Sequence, residues 1–251
     1  MSFDFNIIIP VYNEGKNILN VIKHLKNEVK SNYQILICYD NDTDDLFKFE
    51  NQLFKIYNNI KFVKNNFFGP CGAVKTGLIS SSVDAMVVYP ADDLINGNIL
   101  DEMYRFYLEG YDIVAPSRFM KGGSMKNCPL IKEILVRFAS FSLFKLSSIP
   151  VEDASNGFRL FSKKIIDRFE IESELGFAYS LELLVKAERH GYKIKQIPSQ
   201  WLERKLGSSN FKILKWLRQY LKWYFYGLTT NFVLNKKKMK KTFLVTGGTG
   251  F

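Results

Sequence analysis

Cysteine and histidine are scarce in this 251-residue chain, which has three of the first and two of the second. Cys38, Cys71 and Cys128 lie far apart and are odd in number. That excludes a disulfide framework or a cysteine metal knuckle and points to reduced thiols, as in a cytoplasmic protein. His24 and His190 stand alone on helical segments, so neither a Ser/His/Asp triad nor a zinc site is expected. The opening "MSFDFNIIIP" lacks a basic stretch followed by a long apolar core, and no signal peptide is expected. Long apolar runs are also missing. The longest uncharged run of the tail, Trp223 to Asn235, falls short of the ~20 residues that span a bilayer.

Basic residues are plentiful, and the net charge is +10. This favours anionic partners: a phospholipid surface, a phosphorylated small molecule or nucleic acid. Nucleic acid is disfavoured, because neither zinc-finger spacing nor a basic recognition helix is present. A hydrophobic content of 47% suits a globular protein with a full core. The first two-thirds alternates strand-like segments ("FNIIIPVYN", "YQILICYDN", "NIKFVKNN", "AMVVYPADD", "YDIVAPSRF") with helix-like ones ("EGKNILNVIKHLKNEV", "GAVKTGLISSSV", "NILDEMYRFYLEG"). Such alternation implies an α/β fold with a mostly parallel, doubly wound sheet. Ligands bind such sheets beyond the carboxyl ends of the strands. Asn13, Asp40, Asp92 with Asp93, and Ser117 with Arg118 all fall at such ends, so four polar clusters converge on one rim.

Asp92 and Asp93 follow a strand whose folding does not need them. Carboxylates so placed can hold a hard divalent cation whose shell is completed by diphosphate oxygens. A turn or helix cap explains the pair equally well. Asp40 and Asp42 form a second acidic strand end, able to accept from a base or ribose, though such residues alone are more often loop residues. In "VEDASNGFRLFSKKII", Asp153, Asn156, Gly157 and Arg159 share one loop that runs into an apolar turn. There a carboxylate can act as base or orient an acceptor, and an arginine can take a phosphate bidentately. "LERKLGSSNFK" adds Arg204, Gly207 and Ser209 in a cationic loop suited to closing on a diphosphate.

In sequence order, "IIIPVYNEGKNI", "CYDNDTDD", "GPCGAVKTGL", "ADDL", "SRFMKGG", "DASNGFRLF" and "GYKIKQIPSQWLERKLGSS" resemble the motifs of family 2 glycosyltransferases. The nearest subgroup is the dolichyl- or polyprenyl-phosphate sugar synthases. The resemblance covers roughly residues 5–212 and implies a GT-A fold. It also implies transfer of a sugar, with inversion, from a nucleotide-sugar donor to a lipid phosphate, with Mg2+ or Mn2+. By the same resemblance Pro10, Tyr12, Glu14 and Asp40 cradle the nucleotide, while Asp93 with Asp92 binds the metal. Ser117 and Arg118 face the acceptor phosphate and Asp153 sits near the acceptor. Arg204 and Ser209 meet the donor diphosphate. The chain departs from the family in reading "ADD" where Asp-x-Asp is common, so Asp92 is either a shifted ligand or a bystander. Pro70 and Cys71 replace a usual cation, and Asn156 replaces a small residue. Two other functions stay open: transfer to a glycan hydroxyl, with Asp153 as a true base, or a non-catalytic nucleotide-sugar-binding module.

The expected organisation is a GT-A domain over 1–210, an amphipathic helix over 211–234, a basic linker over 235–241, and a last segment over 242–251. Lys212, Lys215, Arg218 and Lys222 share one face of that helix, and Leu214, Leu217, Leu221, Tyr224, Phe225 and Leu228 another. Trp216, Trp223, Tyr224 and Tyr226 are types that settle at a bilayer interface. This gives an expected peripheral location on an anionic surface at the inner face of the cell membrane. The alternative is that the helix packs on the catalytic domain or on a second copy of the chain. "TFLVTGGTGF" resembles the opening of a dinucleotide-binding fold of the nucleotide-sugar epimerase type, which would imply a fused domain beyond residue 251; the alternative is a chance glycine-rich tail.

Overall fold

The computed structural model describes residues 3–202 and 213–230. Its elements run β1 (Phe5–Val11), α1 (Gly15–Glu28), β2 (Tyr33–Tyr39), a 3-10 turn (Asp45–Phe49), α2 (Glu50–Ile56), β3 (Ile60–Lys64), α3 (Gly69–Ser80) and β4 (Ala85–Val88). A second 3-10 turn (Asn96–Ile99), α4 (Leu100–Leu108), β5 (Ile113–Ser117), β6 (Ser124–Lys126) and α5 (Leu130–Leu146) follow. The described chain then forms β7 (Arg159–Ser162), α6 (Lys163–Arg168), α7 (Ala178–Arg189), β8 (Ile194–Pro198), β9 (Gln200–Leu202) and α8 (Ile213–Leu228).

The main sheet is ordered β3-β2-β1-β4-β7-β5-β8. All its pairings are parallel except those of β7, which runs antiparallel to β4 and β5. That reversal decides the site. Arg159, at the start of β7, lies opposite Val88 at the end of β4. The loop before β7 therefore opens on the same edge as the carboxyl ends of the parallel strands. The "apolar turn" expected after Asn156 is this strand: with Arg, Leu, Phe and Ser in sequence it is buried on both faces, so it shows no alternation to mark it.

Strand periodicity sorts the core. Ile7, Ile9, Ile35 and Ile37 face α1, whose Ile18, Val21, Ile22 and Leu25 form one buried stripe. Ile8 and Leu36 point the other way, towards α3 and α7. Helix α3 comes unusually close to the sheet at Gly77, where a Cβ would stand 2.4 Å from Ile8 Cγ2 and 2.8 Å from Cys38 Sγ. A third cluster joins Leu143 of α5, Leu181 and Leu184 of α7 and Trp223 of α8. Among the described residues, no helix is long and apolar enough to cross a membrane.

Candidate active site

The rim is built from successive strand ends. After β1, Asn13 takes a left-handed conformation with φ of 53°, which asparagine tolerates. This turn is fixed from outside: Asn13 N donates to Asp44 Oδ2 at 2.9 Å, and Gly15 N donates to Asp45 Oδ1 at 2.8 Å. Asp44 and Asp45 were not singled out from the sequence, although "DNDTDD" held their signal. Pro10 is half-buried and Tyr12 is 64% exposed, while Glu14 accepts from Asn17 Nδ2. Asp40 closes β2, the neighbour of β1, where it accepts from Asn65 Nδ2 (2.6 Å) and Gly69 N (3.2 Å). Tyr12, Glu14 and Asp40 thus follow the adjacent strands β1 and β2 at one end of the rim.

The acidic pair divides its duties. Asp93 Oδ1 accepts from the backbone N–H groups of Ile95 and Asn96, at 2.8 and 2.9 Å, and its Oδ2 accepts from Asn96 Nδ2 at 2.6 Å. Buried Tyr89 donates to the Asp93 carbonyl at 3.2 Å. Asp93 therefore does the capping work that the sequence left as one of two roles. Asp92 is exposed at the turn's outer side. Among the described residues no group of three His, Cys, Asp or Glu side chains could hold a metal ion. Asp92 at the mouth of β4 does suit a cation that arrives with phosphate oxygens, since Mg2+ is commonly held by one or two carboxylates plus substrate phosphates.

Across β7 sits a closed ion pair. Arg118, just past β5, grips Asp153 bidentately: Nε to Oδ2 at 2.6 Å and Nη2 to Oδ1 at 2.9 Å. Its backbone N–H adds a third bond to Oδ2 at 3.1 Å, and Ser155 Oγ donates to Oδ1 at 3.1 Å. Asp153 is fully buried, whereas the Arg118 side chain keeps 11% exposure. Burial alone would raise the Asp153 carboxyl; the guanidinium outweighs it and holds the group below the ordinary carboxylate range. Of the two roles the sequence left to Asp153, base or orienting group, these surroundings favour the second, for it is sealed, fully hydrogen-bonded and weakly basic. Ser117 and Arg159 are corrected too. Ser117 is buried, and its hydroxyl accepts from the N–H groups of Phe119 and Met120. Arg159 is wholly buried, with Nη1 on the Ser180 carbonyl (2.8 Å) and Nη2 on those of Asp153 and Ala154 (3.1 and 2.9 Å). Burial lowers its pKa to about 10. It braces the loop that presents Asp153 and does not reach the rim.

A groove of about 520 Å³ opens next to this pair, lined by Phe119, Phe138, Phe141, Phe144, Arg137, Lys145 and Glu152. The sequence reading missed α5, most of this wall, although its exposed Leu130, Ile134, Phe138 and Phe141 recur at helical spacing. Phe138 is 70% exposed and Phe141 59%. Arg137 lies over the Phe119 ring at 4.7 Å, so cation and aromatic wall are joined.

Helix α8 packs on the domain more closely than an interfacial helix would. Trp223 is buried, donating from Nε1 to Ser173 Oγ at 2.9 Å, and Tyr224 Oη meets Ser142 Oγ of α5 at 2.8 Å. Trp223 is therefore a packing residue, which corrects its expected place at a bilayer. Leu217, Leu221 and Phe225 remain exposed along one strip. Arg204 and Ser209 lie outside the described residues, as do Lys212 and the segments 235–241 and 242–251.

The model of glycosyl transferase family 2 matches residues 6–169. The dolichol-phosphate mannosyltransferase of Pyrococcus furiosus is 26% identical over 229 residues, covering 87% of this chain and 64% of that protein. CsbB of Bacillus subtilis, named as a glycosyltransferase, is 29% identical over 210 residues, 82% of this chain and 61% of its own. This chain thus spans less than two thirds of the length of both relatives. Among solved structures, glucosyl-3-phosphoglycerate synthase from Mycobacterium tuberculosis, in complex with Mn2+, UDP and glucosyl-3-phosphoglycerate, superposes with a TM-score of 0.67 at 16% identity. The match covers 90% of this chain and 80% of that one, and shows the GT-A fold expected from the sequence.

Proposed function

Because the chain belongs to glycosyl transferase family 2, we propose that it moves a sugar from a nucleotide-sugar donor onto a lipid-linked phosphate at the inner face of the cell membrane. The single observation that carries the choice of acceptor is the sealed Arg118–Asp153 pair. A hydroxyl acceptor needs a base to take its proton, and a buried carboxylate already gripped by a guanidinium is a poor one. A phosphate arrives ionised and needs none. The groove beside the pair supports the lipid half of the reading, with an aromatic wall for a prenyl chain and Arg137 and Lys145 for its phosphate.

On the donor side, Tyr12 and Asp40 would hold the nucleoside, and Asp92 would hold Mg2+ or Mn2+ together with the donor diphosphate. That cation would neutralise charge on the departing diphosphate. Arg118 keeps its exposed edge for the acceptor, while Asp153 keeps Arg118 oriented and charged. The exposed face of α5 and the strip on α8 settle against lipid, with exposed Arg218 adding attraction to anionic headgroups while Lys222 is paired with Glu172.

One observation favours a second acceptor. Glu152 lines the groove beside Asp153 and is the carboxylate that could serve a glycan hydroxyl as base. The reading is tested by offering radiolabelled UDP- and GDP-sugars together with polyprenyl phosphate in anionic vesicles or with soluble oligosaccharides. Label in the organic phase supports lipid-phosphate transfer. Label confined to the oligosaccharide, and lost in Glu152→Gln, replaces it with the hydroxyl reading.

A further inference from the structure

The acidic turn and the Arg118 loop leave strands that do not touch, since β7 separates β4 from β5. Their connection is the short segment 199–202. On one side Ser199 N donates to the Ser117 carbonyl at 3.0 Å, Ser124 N donates to the Ser199 carbonyl at 3.0 Å, and β9 pairs with β6. On the other side Gln200 is clasped by one side chain. Gln200 N donates to Asn96 Oδ1 at 2.9 Å, and Asn96 Nδ2 donates to the Gln200 carbonyl at 2.8 Å. The same Nδ2 reaches Asp93 Oδ2 at 2.6 Å. Asn96 is 4% exposed, so these bonds form where water does not compete.

The turn is pinned from the nucleotide side as well. Gly97 N donates to His24 Nε2 of α1 at 3.1 Å, and a Cβ at Gly97 would stand 2.8 Å from that nitrogen. No side chain fits between them, so residues 93–97 are held between α1 and β9. We propose that Asn96 is a positioning residue that locks the turn carrying Asp92 to β9, and through β9 and β6 to the loop carrying Arg118. It would fix the spacing between the donor and acceptor ends of the site without touching either substrate. The chemistry is specific to a carboxamide, which alone offers an acceptor to the N–H and a donor to the C=O of one residue and a second donor to Asp93.

Aspartate has the same shape but would set an oxygen against Asp93 Oδ2 and the Gln200 carbonyl. A residue that merely filled space would tolerate Asn96→Asp better than Asn96→Ala. A positioning residue would be hurt at least as much by the aspartate. Backbone hydrogen exchange on the full chain reads this directly. Expected in both variants is faster exchange at 93–97 and along the β6–β9 pair, at least as fast in Asn96→Asp, with the rest of the sheet unchanged. Faster exchange at 93–97 alone, or a milder effect of Asn96→Asp, overturns the proposal; Asn96→Ser replaces Asn96→Asp if that variant does not fold.

A second arm rests on the reading of Asp92 given above: Mn2+ binding followed by electron paramagnetic resonance, with UDP and then GDP as the diphosphate. Asn96 bonds Asp93 and reaches Asp92 only through the turn, so both Asn96 variants should bind Mn2+ more weakly by up to about tenfold, the lower end of the range for groups bonded directly to a ligand. Loss of Mn2+ in Asp92→Asn with wild-type binding in both Asn96 variants overturns the positioning role. Unchanged Mn2+ in Asp92→Asn alongside the paired exchange effect sinks the metal reading and supports the lock.

Discussion

Asp92 and Asp153 stand at the same edge of one sheet and meet opposite surroundings. Asp92 is exposed on a turn whose backbone N–H groups at Ile95 and Asn96 are taken by its neighbour Asp93. Asp153 is fully buried against a guanidinium that leaves neither oxygen for an incoming group. The difference teaches that a carboxylate beside a sugar site need not be a base. An exposed acid suits a cation that comes and goes with substrate, whereas a buried one serves by ordering an arginine.

The largest effect should come from opening the buried pair. Asp153→Asn leaves Arg118 without its counter-charge, and breaking a buried pair this way costs about 3–5 kcal/mol. Denaturant unfolding measures it; a loss under 1 kcal/mol would put Asp153 in the same class as Asp92. The pair also sets an acid limit. Since folding lowers the Asp153 pKa, its stabilisation is complete above the unfolded value of about 3.9 and fades as pH falls through the lower folded value. Stability between pH 5 and 2 should therefore fall less steeply in Asp153→Asn than in the wild type.

Next comes the exposed acid. Asp92→Asn should cut turnover about 100- to 1000-fold, the range for losing one group that stabilises developing charge, with a smaller shift of the unfolding midpoint than Asp153→Asn gives. Asp93→Asn should act differently, loosening the turn, because its new amide would face Asn96 Nδ2. Equal thermal shifts in the two variants would erase the distinction.

The acidic pair shows how far the sequence was legible. Carboxylates at the end of an apolar strand located the rim, and the alternating segments located the parallel strands that build it. What the sequence could not assign was which aspartate faces inward, because adjacent side chains in a turn follow its hydrogen bonds and not a period. Arg159 was misjudged for a related reason: it opens a strand buried on both faces, and its partners are carbonyls from α7 and its own loop. Helix α5 escaped notice because Leu130, Ile134, Phe138 and Phe141 look like core in the sequence, and only the fold shows them exposed among the described residues.

A smaller effect concerns that uncovered face. Phe138→Ser with Phe141→Ser removes two exposed rings, each worth about 1.5–3 kcal/mol when fully buried. Partitioning onto anionic vesicles should fall at least about tenfold without loss of fold; sedimentation equal to wild type would separate α5 from the membrane. Smallest of all is Glu152→Gln, which should alter lipid-phosphate transfer less than about twofold, since an ionised acceptor needs no base.

Whether the acceptor arrives already ionised is tested by one pair of substrates: a polyprenyl phosphate and the polyprenol of the same chain length, presented in identical vesicles with the same labelled donor. Label is expected on the phosphate and not on the alcohol, at a rate that Glu152→Gln leaves intact. Comparable transfer to the alcohol, abolished by Glu152→Gln, would contradict it.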